Sequence, residues 1–390
     1  MRTNRIMLLS LLVLAFIYSC GEKDTNQNSS SQETYELVIV DSLIVDELEE
    51  LQVTDYNVKT KRFLAYGTNS KDCMEVDMEG NIINRVELSG EGPGRFGTDM
   101  NGLGYFGEDK FINGMGNYFV YDKDWNYKRK SPSTNYLIPV KYISQAPKDL
   151  AYLGKTVLVQ AIEHTEYGRK LAPEYFSTAK MIELLEINEE APLALIPYPE
   201  KSIYGSDKTY YWSHQPKFAV NEAENKLYLT LPLERKLYLY NLDDSFSLDK
   251  VIDLDLTGFT APQGIPFNDQ LKNSLKGFGP ENELNYVYMM TNSSIQDIST
   301  HGKLTMLKHR TGVENKSITS YEEATGLARK DSRTINSFII DGQVVYETEE
   351  NFRYPIRIDE MRFMSPDLNE AEERDYNKFY IYELRTTNNR

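Results

Sequence analysis

The stretch Thr209-Tyr-Tyr-Trp-Ser-His-Gln-Pro216 gathers three aromatic rings, an imidazole and an amide into six consecutive positions, 210–215. Tyr210, Tyr211, Trp212 and His214 each offer a flat face with a polar tip. That chemistry stacks on sugar rings or grips peptide side chains. Gln215 adds directional hydrogen bonds, and Arg95, in a separate glycine-rich segment, adds a positive charge to an acidic chain. These six residues are the candidate ligand-binding set. The packing alternative is that Trp212 and one tyrosine fill a wedge between sheets, and the residue types alone leave both readings open.

Reaction chemistry is much thinner. His164, His214, His301 and His309 form no His-Glu-x-x-His or His-x-His pattern, so no metal site is expected. A Gly-x-Ser-x-Gly nucleophile elbow is missing too. Carboxylate pairs such as Glu49/Glu50 and Asp243/Asp244 arise by chance among 59 acidic residues. The nearest approach to a calcium loop, Asp122-Lys-Asp-Trp-Asn126, reads better as a hairpin turn. No catalytic residue and no cofactor is assigned.

Composition narrows the classes further. With 40% hydrophobic and 26% charged residues, the chain suits a folded protein and argues against wholesale disorder. Its formal charge of −16 would repel nucleic-acid phosphates, which excludes that partner class. Two cysteines cannot staple 390 residues into a disulfide scaffold.

The first of those cysteines ends a targeting segment. Arg2 and Arg5 precede the apolar run Ile6–Ile17. Twelve helical residues span about 18 Å, short of a ~30 Å hydrocarbon core, so a spanning helix is not expected. The run closes in Ile17-Tyr-Ser-Cys20, which resembles a bacterial lipobox, where the thiol is lipidated and the chain is cut before it. An ordinary secretory signal is the alternative. Residues 1–19 therefore read as a lipoprotein signal peptide with Cys20 as the lipidation site. Residues 20–34 hold no aliphatic or aromatic side chain and read as a flexible tether. Cys73, left without a partner, falls in the alternation Cys-Met-Glu-Val-Asp-Met and is expected to be a small core residue.

Residues 35–390 must then position the candidate site, and they read as short strands. Lys217-Phe-Ala-Val, Lys226-Leu-Tyr-Leu-Thr-Leu, Lys236-Leu-Tyr-Leu-Tyr and Lys250-Val-Ile-Asp-Leu alternate with turn-prone segments. That is a four-stranded meander of propeller-blade size. Looser copies run through 56–88, 102–130 and 156–196, the last with an insertion near Glu163–Ser177. A fifth unit is expected from Asn285-Tyr-Val-Tyr-Met-Met and Lys303-Leu-Thr-Met-Leu. A sixth takes Ser337-Phe-Ile-Ile, Gln343-Val-Val-Tyr-Glu and Lys378-Phe-Tyr-Ile-Tyr-Glu. Short helices are expected at Asn268–Leu275 and Tyr321–Arg329. The unpartnered strand Tyr35–Val45 would supply the missing edge of the last unit and close the ring. The expected fold is all-β: a six-bladed β-propeller of four-stranded antiparallel blades, with a pair of β-sandwiches as the alternative.

Gly90-Glu-Gly-Pro-Gly-Arg-Phe96, together with the lipobox and blade pattern, resembles the uncharacterised six-bladed, NHL-like propeller lipoproteins of Bacteroides-type bacteria. Cys20-Gly-Glu-Lys-Asp also resembles their surface-export signals. Physically, the glycines open backbone angles closed to other residues, Pro93 stiffens the turn, and Phe96 is placed to plug between blades. The resemblance implies a lipoprotein anchored to the outer membrane. The function expected is binding of a carbohydrate, a peptide or an envelope protein partner. A lyase or hydrolase working in the channel, or a structural subunit of an outer-membrane assembly, are the alternatives.

Overall fold

Aromatic and branched residues on alternating positions favour extended chain wherever both faces can be buried. The middle strands of each sheet meet that condition throughout the computed structural model. The structure describes residues 33–387, except 115, 133–146, 163–172, 187–192, 211–214, 244, 268–282, 315–317 and 370–373. Among the described residues, the unit Glu36–Arg385 contains six four-stranded antiparallel sheets.

Blade one comprises β2 (Leu51–Asn57), β3 (Arg62–Gly67), β4 (Cys73–Val76) and β5 (Ile82–Val86). Blade two is β6 (Met100–Phe106), β7 (Asp109–Gly114), β8 (Asn117–Tyr121) and β9 (Tyr127–Pro132). In blade three, β10 (Lys148–Tyr152), β11 (Lys155–Ala161), β12 (Lys180–Leu185) and β13 (Leu193–Pro197) follow the same order. A short ribbon joins β14 (Lys208–Thr209) to β19 (Ile265–Pro266). Blade four, β15 (Lys217–Asn221), β16 (Lys226–Thr230), β17 (Lys236–Asn241) and β18 (Leu248–Asp253), matches the clearest meander of the sequence. Blade five holds β20 (Ser294–His301), β21 (Leu304–Arg310), β22 (Thr334–Ile340) and β23 (Gln343–Thr348). Blade six is β24 (Ile356–Arg357), β25 (Arg362–Pro366), β26 (Asn377–Thr387) and, hydrogen-bonded outside β26, β1 (Thr34–Val45). The six inner strands pack in a cycle, β2 against β6, then β10, β15, β20, β24 and back to β2.

Two expectations are corrected. Asn285–Met290 is not a strand; it lies in a helix, Glu283–Thr291, that packs on a second helix, Tyr321–Asp331. Glu283 sits in the first turn, where the helix dipole favours a carboxylate, and Val287 and Thr291 are buried four residues apart. Helix-on-helix packing therefore overrides the strand propensity of Tyr-Val-Tyr. The second correction follows. Ser337–Ile340 and Gln343–Glu347 close blade five rather than opening the last, because β20 takes the inner place. A bulge between Ile295 and Asp297 breaks the period-two pattern that would have marked β20. The helix expected at Tyr321–Arg329 is present, with Ser320 Oγ accepting the Glu323 N–H at 3.2 Å. The expected helix at 268–275 lies outside the described residues, as does 163–172 of the third-blade insertion.

Apolar and polar plugs join the blades. Phe96 is buried among Leu64 and Cys73 of blade one and Ile112 and Tyr121 of blade two, as its motif suggests. Beside it Lys110 is buried with its ammonium 3.5 Å from Glu75 and donating to the Lys123 carbonyl at 2.7 Å. Trp125 Nε1 donates to the same Glu75 carboxylate at 3.3 Å. An ion pair this deep needs those extra hydrogen bonds to offset its desolvation.

Candidate ligand-binding face

Antiparallel order fixes which loops meet. Turns between first and second strands, and between third and fourth, leave each blade at one end. Second-to-third loops and blade-to-blade connections leave at the other. Arg95 (β5 to β6) and Tyr210 and Gln215 (β13 to β15) are therefore on the same face, at different blade junctions.

Their surroundings differ. Tyr210 is only 9% exposed and meets Tyr204 edge-on at 5.7 Å, in a cluster with Phe176 and Tyr198. Glu234 pins this layer: its carboxylate accepts Ser202 Oγ at 2.7 Å, the Ile203 N–H at 2.8 Å and the Tyr238 hydroxyl at 2.6 Å. Tyr210 thus packs inward, while Gln215 is partly exposed at the start of blade four. Tyr211, Trp212 and His214 lie outside the described residues, and so does Cys20. Arg95 holds its own loop together. Its Nη1 donates to the Ser89 carbonyl at 2.6 Å and the Glu87 carbonyl at 3.3 Å.

Sequence reasoning did not assemble the charged centre of the ring. Asp55 of β2, Lys148 and Asp149 of β10, Lys217 of β15 and Asp297 of β20 come from inner strands of four blades. Lys148 Nζ is 3.3 Å from Asp55 Oδ1, and Asp55 Oδ2 accepts the Tyr105 N–H at 2.9 Å. Asp149 accepts the Gly107 N–H at 2.9 Å. Asp297 feels Lys217, Lys308 and Lys148 together. The charges are not sealed off, since the Lys148 side chain keeps 38% of its surface exposed.

Titration follows from burial and from the neighbouring charges. Burial pushes Asp149 up to about 6; Asp55 and Glu222 push the same way, while the Gly107 N–H and Lys148 oppose them. Burial also raises Asp297, against the pull of Lys217, Lys308 and Lys148. Lys148 moves upward, because Asp55, Asp149 and Asp297 outweigh its burial. No local motif could have signalled this ring, since the strands that carry it are about 70 to 90 residues apart and meet only once the blades close.

A serine–histidine–glutamate group also occurs, but its wiring is structural. His309 is fully buried, with Nε2 3.0 Å from the Thr257 carbonyl and Nδ1 3.3 Å from Ser337 Oγ. Glu347 accepts the Ser337 hydroxyl directly at 2.7 Å, so the acid does not orient the imidazole. Among the described residues no three His, Cys, Asp or Glu side chains converge as metal ligands.

No protein-family model matches the chain, and no curated protein matches it either. Solved structures do. A member of the DUF4221 family from Bacteroides vulgatus superposes with a TM-score of 0.63 at 12% identity, covering 91% of this chain and all of that one. A Bacteroides fragilis protein named for its expected export gives a TM-score of 0.52 at 9% identity, covering 93% of this chain and 98% of its own. At such identities the likeness is one of fold.

Proposed function

We propose that this protein is a lipid-anchored binding protein of the bacterial envelope, held in the outer membrane through Cys20 and recognising a polar ligand at the centre of its propeller. The observation that carries the reading is the ring of Asp55, Lys148, Asp149, Lys217 and Asp297, where both signs of charge from the inner strands of four blades meet, with Lys148 still partly exposed. Burying such charges costs stability, and proteins keep them where recognition needs them. The lipobox-like stretch and the tether after it support an envelope location, and the export expected of the Bacteroides fragilis neighbour is consistent with it. Among the described residues no helix is long and apolar enough to cross a membrane.

Two experiments test the two halves. Cys20→Ala should move the folded protein from the membrane fraction to the soluble one; retention in membranes removes the anchor. For recognition, oligosaccharide and short-peptide panels are titrated calorimetrically against the full-length protein in detergent. Asp55→Asn and Lys148→Met should each weaken the best ligand of the channel about tenfold, with melting temperature held. Unchanged affinity in both variants defeats the channel reading.

A further inference from the structure

A second concavity opens on the connection face, between the last blade and the first. Its volume is about 360 Å³, and its walls come from the β1–β2 connection, the β23–β24 connection and residues 367–369, 374 and 376 between β25 and β26. That size falls at the small end of ligand pockets.

The chemistry of the walls is specific. Arg353 is 3.3 Å from Glu50, and Arg374 is 2.7 Å from Asp367. Arg374 and Asp367 are nearly buried, at 14% and 7% side-chain exposure, so their pairing is fixed. Both guanidiniums are matched by carboxylates, and Lys378, the third cation of the lining, stands 4.0 Å from the same Asp367, so the pocket offers an anion no unmatched guanidinium. It presents planar hydrogen-bonding groups instead.

Aromatic rings stand at the rim. Tyr354 is 54% exposed and Tyr376 38% exposed. The Arg353 guanidinium lies 5.5 Å from the Tyr354 ring centre, and that of Arg374 lies 5.9 Å from the Tyr376 ring. Each tyrosine is thus steadied by an arginine. Tyr354 also has φ 49°, left-handed backbone, directly before Pro355. Steric conflict with proline drives a preceding residue toward extended chain, so this conformation is strained. Tyr354 faces outward there, while Phe352, two residues earlier, is buried.

We infer that this pocket is a subsite for a neutral saccharide of one or two rings, stacked on Tyr354 and Tyr376 and hydrogen-bonded by the Arg353–Glu50 and Arg374–Asp367 pairs. Exposed tyrosine faces suit the apolar faces of sugar rings, and paired charges give and accept hydrogen bonds without demanding a charged ligand. The inference goes beyond the channel reading and does not depend on it.

The test titrates maltotriose, chitotriose and xylotriose against the full-length protein in detergent, by calorimetry and saturation-transfer NMR. At least one probe should saturate the protein. Tyr354→Ala and Tyr376→Ala should each weaken it about tenfold, and Tyr354→Phe should keep its affinity. Leu48, 78% exposed at the pocket edge, provides a variant without core contacts: Leu48→Trp should block the pocket. Lys123→Ala, on an exposed turn of blade two, should leave saccharide affinity unchanged. The proposal is overturned if no trisaccharide saturates at roughly 20 mM, or if Tyr376→Ala and Leu48→Trp bind as the unmodified protein does.

Discussion

Gly94 and Gly97 flank Arg95 with φ angles of 72° and 95°, yet they should respond differently to the same substitution. A Cβ built on Gly94 would lie 2.8 Å from Tyr127 Cβ, whereas one on Gly97 meets nothing within 4 Å. The Gly94 carbonyl also accepts the buried Tyr121 hydroxyl at 2.9 Å, so the backbone there has little room to shift. Gly97→Ala should cost only the left-handed penalty of about 1–2 kcal/mol, and Gly94→Ala clearly more, about 3 kcal/mol. Urea titration with unchanged slope checks the order; equal losses would mean the loop relaxes freely. Cys73 offers a second residue-scale check. It is fully buried, and burial pushes its thiol far above the usual range. It should resist thiol reagents in the folded protein and react once guanidinium unfolds the chain. Its burial was legible from the alternation around it. The role of Tyr210 was not, because an aromatic in a connection reads alike whether it faces a ligand or a wedge.

At the scale of elements, legibility tracks position within the blade. Middle strands such as β4, β7 and β8 are sandwiched between neighbouring blades and buried on both faces, so their aliphatic and aromatic runs stand out. Inner strands line the centre and carry Asp55, Lys148, Asp149 and Asp297, which erases their hydrophobic pattern. That is why β2, β10 and β20 escaped sequence reading. Outer strands face solvent, and Tyr127-Lys-Arg-Lys-Ser-Pro132 carries almost no strand signal for the same reason. Other outer strands, β18 and β23 among them, keep enough branched residues to be read, and so does β1, which comes from the other end of the chain and ends in Leu43 and Val45, both buried against Phe379 and Ile381. We expect Leu43→Ala to cost about 3 kcal/mol through the cavity it leaves. Deleting Glu36–Val45 should lower the melting temperature by roughly 10 °C or more and promote association through the bared β26 edge. A deletion that melts like the full chain would show that β1 adds nothing to ring stability.

For the whole molecule, the charged centre sets the response to pH, and two sets of groups pull in opposite directions. Asp149, held up at about 6, and Asp297, also raised, bind protons more tightly folded than unfolded. Their contribution is favourable below the unfolded carboxylate value near 4 and is lost as pH rises through the folded value. His301 and His309 are lowered, first by burial, with Arg357 adding to the effect at His301. The unfolded chain binds more protons on these histidines, so their contribution is present above about 6.5 and is lost on acidification. The opposing slopes should leave the protein with a flat stability profile between about pH 5 and 7. Asp149→Asn removes one slope while keeping an acceptor for the Gly107 N–H. At pH 7.5 the variant should be more stable, by about 1–3 kcal/mol for a displacement of roughly two pH units partly screened by channel water. Its advantage should shrink as pH falls, vanishing near pH 4, where the aspartate of the unmodified protein is itself protonated. The variant should then show a steeper acid-side decline than the unmodified protein, with Asp297 still opposing the histidines. Thermal melts of both proteins across that range decide the matter: parallel curves would mean that Asp149 titrates as an ordinary surface carboxylate and that the channel does not strain its charge.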